Sequence, residues 1–162
     1  MVIAFEPQDL STEVIVNIFK KGLQAAADDP LQPLTDFGAA SRPSDSKFVL
    51  TSMPQRPVGP YPHIVVEEGG APGSRIDRRQ SKLMQWTYTV RITIRASTNT
   101  HIYKIRDGIR AWIQDNYEAI RASGFTDIVW VGSGSITWDE VPLVKEFQMT
   151  IQGKVYTGEV TP

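Results

Sequence analysis

The sequence predicts a single α+β domain in which two amphipathic helices pack on one face of a mainly antiparallel sheet. Apolar residues recur at helical spacing in two segments, 11–27 and 100–123. Residues 85–98 alternate between apolar and polar side chains, as a strand with one buried face does. The chain of 162 residues, 1–162, fits one domain, since domains most often contain about 100–150 residues. These observations predict a two-layer sandwich.

The first predicted helix spans residues 11–27. Ser11 is suited to cap its first turn, because a serine hydroxyl accepts a hydrogen bond from a free backbone N–H there. Proline at position 30 ends the helical pattern. The apolar residues of the segment fall on one helical face: Val14, Ile15, Ile18, Phe19, Leu23 and Ala26.

A proline-rich loop region follows over residues 28–62. Eight of the eleven prolines lie between residues 28 and 72, and proline removes a backbone donor that a helix or a central strand needs. Short strands are expected at 47–52 and 63–68. The glycine-rich run that starts at residue 69 predicts a hairpin loop over 69–84.

The second half of the chain reads as a strand, a helix and three further strands. In the strand at 85–98, the even-numbered side chains from Trp86 to Ala96 are expected to pack beneath the helices. The odd-numbered ones, from Thr87 to Ser97, are expected to be polar and either exposed or in contact with a neighbour. Gly124 follows the helix at 100–123, where a C′ glycine belongs. The turn at 132–134 is expected to join the first two of the last three strands as a hairpin. Those strands are predicted at 126–132, 135–140 and 143–155.

No catalytic, metal or cofactor motif is present in the sequence. It contains no cysteine, no phosphate-binding GxxxxGK[ST] loop and no GxSxG element. Its two histidines, His63 and His101, lack metal-binding spacing and are expected at the surface or at element boundaries. The formal charge of −1 disfavours general nucleic-acid binding. No apolar stretch is long enough to span a membrane, so a soluble protein is expected.

The predicted hairpin loop carries a basic cluster of Arg75, Arg78, Arg79 and Lys82. It is either a solvated loop tip or an arm that contacts a neighbour's acidic surface or nucleic acid, because arginine pairs well with carboxylate and phosphate. Trp138 is a further candidate, since tryptophan often anchors interfaces. The other tryptophans are expected mainly in the core.

The order of these elements resembles the tail-terminator and tail-completion proteins of tailed phages, which act in head–tail joining at the neck. The resemblance is carried by the strand YPHIVVEE at 61–68, the strand VRITIR at 90–95, and the helix that contains Ile105, Ile109 and Ile113. It implies a structural subunit without catalytic residues or cofactors. Six copies would form a ring, a hexamer, that caps the tail tube.

The same resemblance implies the partners and the location. The ring would contact the tail tube protein and the head-connector and neck proteins, while DNA passes through without tight binding. The protein would be part of the virion, in the tail or neck, after assembly in the host cytoplasm. Another tail or neck adaptor, or a baseplate component, is the alternative. From other classes, a small carboxylate-dependent hydrolase and a nucleic-acid-binding adaptor also stay open.

Overall fold

A computed structural model gives the fold and describes residues 12–28, 49–50, 62–70, 73–75, 84–133, 137–139 and 144–157. In chain order the elements are α1 (Thr12–Asp28), β1 (Val49–Leu50), β2 (His63–Gly70), β3 (Gly73–Arg75), β4 (Met84–Ala96), α2 (Asn99–Asp115), α3 (Tyr117–Ala122), β5 (Thr126–Ser133), β6 (Thr137–Asp139) and β7 (Val144–Thr157).

All seven strands that the structure describes belong to one sheet. Its order is β1-β2-β4-β7-β5, with β3 paired to β4 and β6 paired to β7. The β1–β2 pair is parallel and the other pairs are antiparallel. The longest pairing joins β4 to β7, from Met84 opposite Thr157 to Ala96 opposite Lys145. The predicted α+β fold class, with a mainly antiparallel sheet, is confirmed.

The hydrophobic core lies between this sheet and the helices. On β4 the even-numbered residues Val90, Ile92, Ile94 and Ala96 are fully buried, as the alternation predicts. Trp86 is only partly buried and packs at the margin of the core. Phe19 of α1 meets Trp112 of α2 edge to face, with ring centroids 5.8 Å apart, a geometry that aromatic pairs favour.

The prediction of one helix over residues 100–123 is wrong, because the segment forms two helices, α2 and α3. Asn116 separates α2 from α3 with φ −104° and ψ 11°. Its side-chain Nδ2 donates to the carbonyl of Trp112 at 2.9 Å, and its backbone N–H donates to the same oxygen at 3.0 Å. A side chain that bonds to the backbone of its own helix competes with regular helix geometry, and here the helix is interrupted. The predicted C′ glycine is confirmed, since Gly124 has φ 105°.

The expected hairpin between the strands now called β5 and β6 is wrong. Both strands pair with β7: β6 lies opposite residues 144–146 and β5 opposite residues 149–154. A strand of 14 residues is long enough to hold two short partners in succession along one edge. The hairpin is therefore formed by β6 and β7.

The predicted loop over 69–84 also contains ordered strand. β2 continues to Gly70, and Gly73–Arg75 forms β3 because it pairs with residues 84–86 of β4. Of the expected strand at 47–52, the described residues Val49–Leu50 form β1, and the other four lie outside the described residues. Most of the predicted loop region 28–62 lies outside the described residues.

The face of the sheet opposite the helices is not uniformly exposed, contrary to expectation. His63, Arg95 and Glu146 form a row across β2, β4 and β7, and both His63 and Arg95 are buried. Arg95 Nε donates to Glu146 Oε2 at 2.9 Å. Thr93 and Val65, an opposed pair two residues along, are fully buried. The odd-numbered side of β4 is therefore partly interior. His63 lies at an element boundary, the start of β2, which is one of its two expected positions, but it is buried.

A candidate subunit interface at the β5 edge

Strand β5 is the edge of the described sheet beyond β7. No described strand pairs with its outer side. Its register against β7 shifts twice, between Thr126 and Val129 and between Trp130 and Gly132, and Asp127 has φ 50°. Bulges of this kind disturb the backbone ladder at sheet edges and disfavour pairing with another strand. Any partner at this edge is therefore expected to bind through side chains.

The apolar side chains of β5 are unusually open to solvent. Val129 is 56% exposed and Val131 is 50% exposed. On the helix side, Ile128 and Trp130 pack against the core but are only partly buried. We call residues 128–131 the β5 patch. Exposed apolar surface is unfavourable in free energy in water. Contiguous apolar patches therefore often mark surfaces that bind a partner.

An apolar groove lies beside the β5 patch, between β5 and the helices α2 and α3. Its volume is about 490 Å³, within the range of about 300–1,000 Å³ found for protein binding pockets. Ile151 of β7 is fully buried there, whereas Tyr117 at the start of α3 is 37% exposed. The lining residues are Arg110, Ile113, Gln114, Tyr117, Ile128, Trp130 and Ile151.

Among the described residues that line this β5 groove, the cation is Arg110. The guanidinium carbon of Arg110 lies 4.8 Å from the ring centroid of Trp130, a cation–π contact that orients the side chain over the ring. Ion pairs among the described residues include Arg95–Glu146, Arg106–Asp107, Arg121–Glu118 and Lys154–Asp127. Arg110 is in none of these pairs, so no described carboxylate neutralises it.

Packing on the other side of α2 holds the groove in place. Phe19 of α1 contacts both Trp112 and Phe125, with a centroid distance of 6.0 Å to the second ring. Phe125, which precedes β5, lies against Gly153 of β7, where a Cβ would overlap its ring. The absence of a side chain at Gly153 therefore lets Phe125 anchor the start of β5 beneath the helices.

Of the residues predicted as interface candidates, the two that the structure describes, Arg75 and Trp138, do not line the β5 groove. Arg75 ends β3, opposite Met84, and Arg78, Arg79 and Lys82 are outside the described residues. Trp138 lies in β6, opposite Lys145. The structure thus does not bring the described members of this set to the β5 groove, and their interface role stays a prediction.

Sequence reasoning missed the β5 patch and Arg110. A signal was present: Ile128–Val131 is an uninterrupted apolar run, which places apolar side chains on both faces of a strand. A strand covered on both faces would bury all four side chains. The structure shows instead that β5 lies at an edge of the described sheet and that its face with Val129 and Val131 is open.

The described residues hold no group of three or more His, Cys, Asp or Glu placed to bind a metal ion. None of the helices described is long and apolar enough to cross a membrane. No protein-family model matches the sequence, and no curated protein matches it either.

Proposed function

We propose that the protein is a structural subunit of a ring at the top of a phage-type tail, which caps the tail tube and joins it to the head connector. The observation that carries the proposal is the β5 patch. Val129 and Val131 are half exposed or more on one face of an edge strand, and Ile128 and Trp130 on its other face line an apolar groove. In an isolated subunit this surface is in contact with water, and an assembly would cover it.

The composition of this surface supports a protein partner. Trp130, Tyr117 and Arg110 border the groove, and these three residue types are the ones enriched at binding hot spots. Apolar side chains lie at its centre and the exposed Arg110 and Gln114 at its rim, the usual arrangement of a protein interface.

The proposed location of the ring, at the top of a tail, is based on the resemblance in element order. A ring arises when one surface of a subunit binds a different surface of the next copy and the rotation closes. The β5 patch occupies one edge of the sheet, so its partner surface on the next copy can lie near β1 and β2 at the opposite edge. Such a head-to-tail contact is compatible with a hexamer.

Native mass spectrometry and electron microscopy of the full chain test the proposal. We expect a closed ring, of six copies, that the paired substitution Val129→Asp and Val131→Asp reduces to monomers. Tyr103→Asp is the matched control, because Tyr103 is 44% exposed but lies at the start of α2, away from the groove. A chain that is monomeric at every concentration and absent from purified particles would refute the proposal.

A further inference from the structure

The lining of the β5 groove favours a ligand with two chemical properties. Its walls are formed by isoleucine, tryptophan and tyrosine side chains, which favour a large apolar side chain. Its rim carries the guanidinium of Arg110, which has no described carboxylate partner. A segment with an aromatic or branched side chain next to a carboxylate would satisfy both, since desolvated cations at interfaces favour paired anions.

This chain contains such a segment ahead of α1. Residues 1–5, Met-Val-Ile-Ala-Phe, are the longest uninterrupted apolar run among the residues that the structure does not describe, and Glu6 follows directly. Pro7 disfavours helical geometry at Glu6 and favours an extended backbone. In an extended segment, adjacent side chains point in opposite directions, so Phe5 can enter the groove while Glu6 stays at the rim.

The position of α1 favours a segment from another copy over the chain's own. Gly22 of α1 lies against the ring of Trp112, so α1 flanks α2 on the Trp112 side. Arg110 precedes Trp112 by two residues, which is about 200° around the helix, so the groove flanks α2 on the other side. The chain's own residues 2–6 lead into α1 on the Trp112 side of α2, whereas a neighbour's segment can approach the open β5 edge directly.

We infer that residues 2–6 of a neighbouring copy dock in the β5 groove, with Phe5 between Trp130 and Ile113 and the Glu6 carboxylate paired with Arg110. This inference rests on the proposed function and names the partner surface for it. The segment leads into α1, which packs over β1, β2 and β4, whereas the groove is at the β5 edge. The contact is therefore head to tail, the type that closes rings.

Disulfide trapping between two single-cysteine variants tests the docking directly, because the chain contains no cysteine. Phe5→Cys protein and Gln114→Cys protein are mixed under oxidising conditions with different affinity tags. We expect a cross-linked heterodimer on a denaturing gel. The matched control is Phe5→Cys with Tyr103→Cys: Tyr103 lies on the same face of α2, eleven residues from Gln114 and so about 16 Å along the axis. That pair should not cross-link above background.

A charge exchange tests the ion pair. Glu6→Arg and Arg110→Glu, each alone, should weaken self-association about tenfold or more, and the double variant should recover most of the loss. Thermal unfolding followed by circular dichroism checks that each variant is folded. Unchanged association in the Arg110→Glu variant, or equal trapping at Tyr103 and Gln114, would overturn the inference.

The experiments can distinguish failure of the docking inference from failure of the proposed ring function. Rings that form without trapping at Gln114 would overturn the docking alone. Trapping between copies, in a protein that never forms rings and is absent from particles, would overturn the ring function alone. A disulfide confined to one chain, observed in a diluted Phe5→Cys and Gln114→Cys double variant, would show that the segment folds back on its own subunit, and the inference would be wrong.

Discussion

At the scale of single residues, Gly22 shows how a tertiary contact overrides a local preference. It lies inside α1, where glycine is less favourable than alanine by about 1 kcal/mol in an exposed helix. A Cβ at this position would overlap the six-membered ring of Trp112, and Trp112 is almost fully buried in the core. The close approach of α1 to α2 therefore depends on the missing side chain, which the helical pattern of the sequence does not reveal.

Gly22→Ala is expected to lower the free energy of unfolding by about 1–2 kcal/mol, because overpacking costs about 1–3 kcal/mol and exceeds the gain in helix propensity. Urea unfolding of the full chain measures the change. In a Trp112→Phe background, the smaller ring leaves room for the methyl group, so the same substitution should be neutral or stabilising. Equal destabilisation in both backgrounds would show that the Trp112 contact is not the cause.

At the scale of the elements, β4 shows the limit of an alternating pattern. Alternation identified the strand and the face that packs beneath the helices. It also led us to expect an odd-numbered face that is exposed or in contact with a neighbour, yet Thr93 and Arg95 are buried there. The Oγ1 atom of Thr93 and the Nη1 atom of Arg95 are buried without a hydrogen-bond partner in the structure. Buried donors without partners cost free energy, so the Arg95–Glu146 pair is the main compensation that the described residues offer.

Glu146→Gln is expected to lower the free energy of unfolding by about 2 kcal/mol, because it leaves the buried Arg95 cation without its carboxylate. The two side chains are 10% and 25% exposed. The matched control is Glu118→Gln: the Glu118–Arg121 pair has side chains 81% and 59% exposed, and exposed pairs contribute about 0–1 kcal/mol. Replacing both Arg95 and Glu146 with apolar residues should recover much of the loss. A cost no larger than in the control would contradict this account.

At the scale of the whole molecule, the segment that carries the predicted basic cluster is flanked by two paired strands, β3 and β4. β3 pairs with the first residues of β4, so residues 76–83 join two strands that are paired antiparallel. The cluster of Arg75, Arg78, Arg79 and Lys82 thus starts at the last residue of β3. Its other three residues lie outside the described part of the chain, and their role in the proposed assembly stays a prediction.

Arg78→Glu combined with Arg79→Glu is expected to weaken binding to an adjacent ring or subunit, since charge complementarity fixes register across an interface. Co-sedimentation with partner particles at low and high salt measures the effect, which should shrink as salt screens the charges. Lys20→Glu combined with Lys21→Glu, on α1, is the control with the same change in net charge. Assembly with unchanged affinity would mean that the cluster is a solvated loop tip.

The elements that the sequence by itself determined are those whose signal is local. The face of α1, the buried face of β4 and the glycine that follows α3 each depend on spacing, alternation or backbone freedom within a few residues. The α+β class follows from the order of such elements.

Only the tertiary structure decided which surfaces meet. It placed β5 and β6 one after the other along one edge of β7 and interrupted the second helix at Asn116. It also buried His63 and Arg95 on the face opposite the helices and left Ile128–Val131 at an edge beside Arg110. The physical reason is that burial depends on neighbours distant in sequence. An apolar run has the same local pattern at an edge and in the centre of a sheet, and only the strand order determines which side chains remain free to bind another molecule.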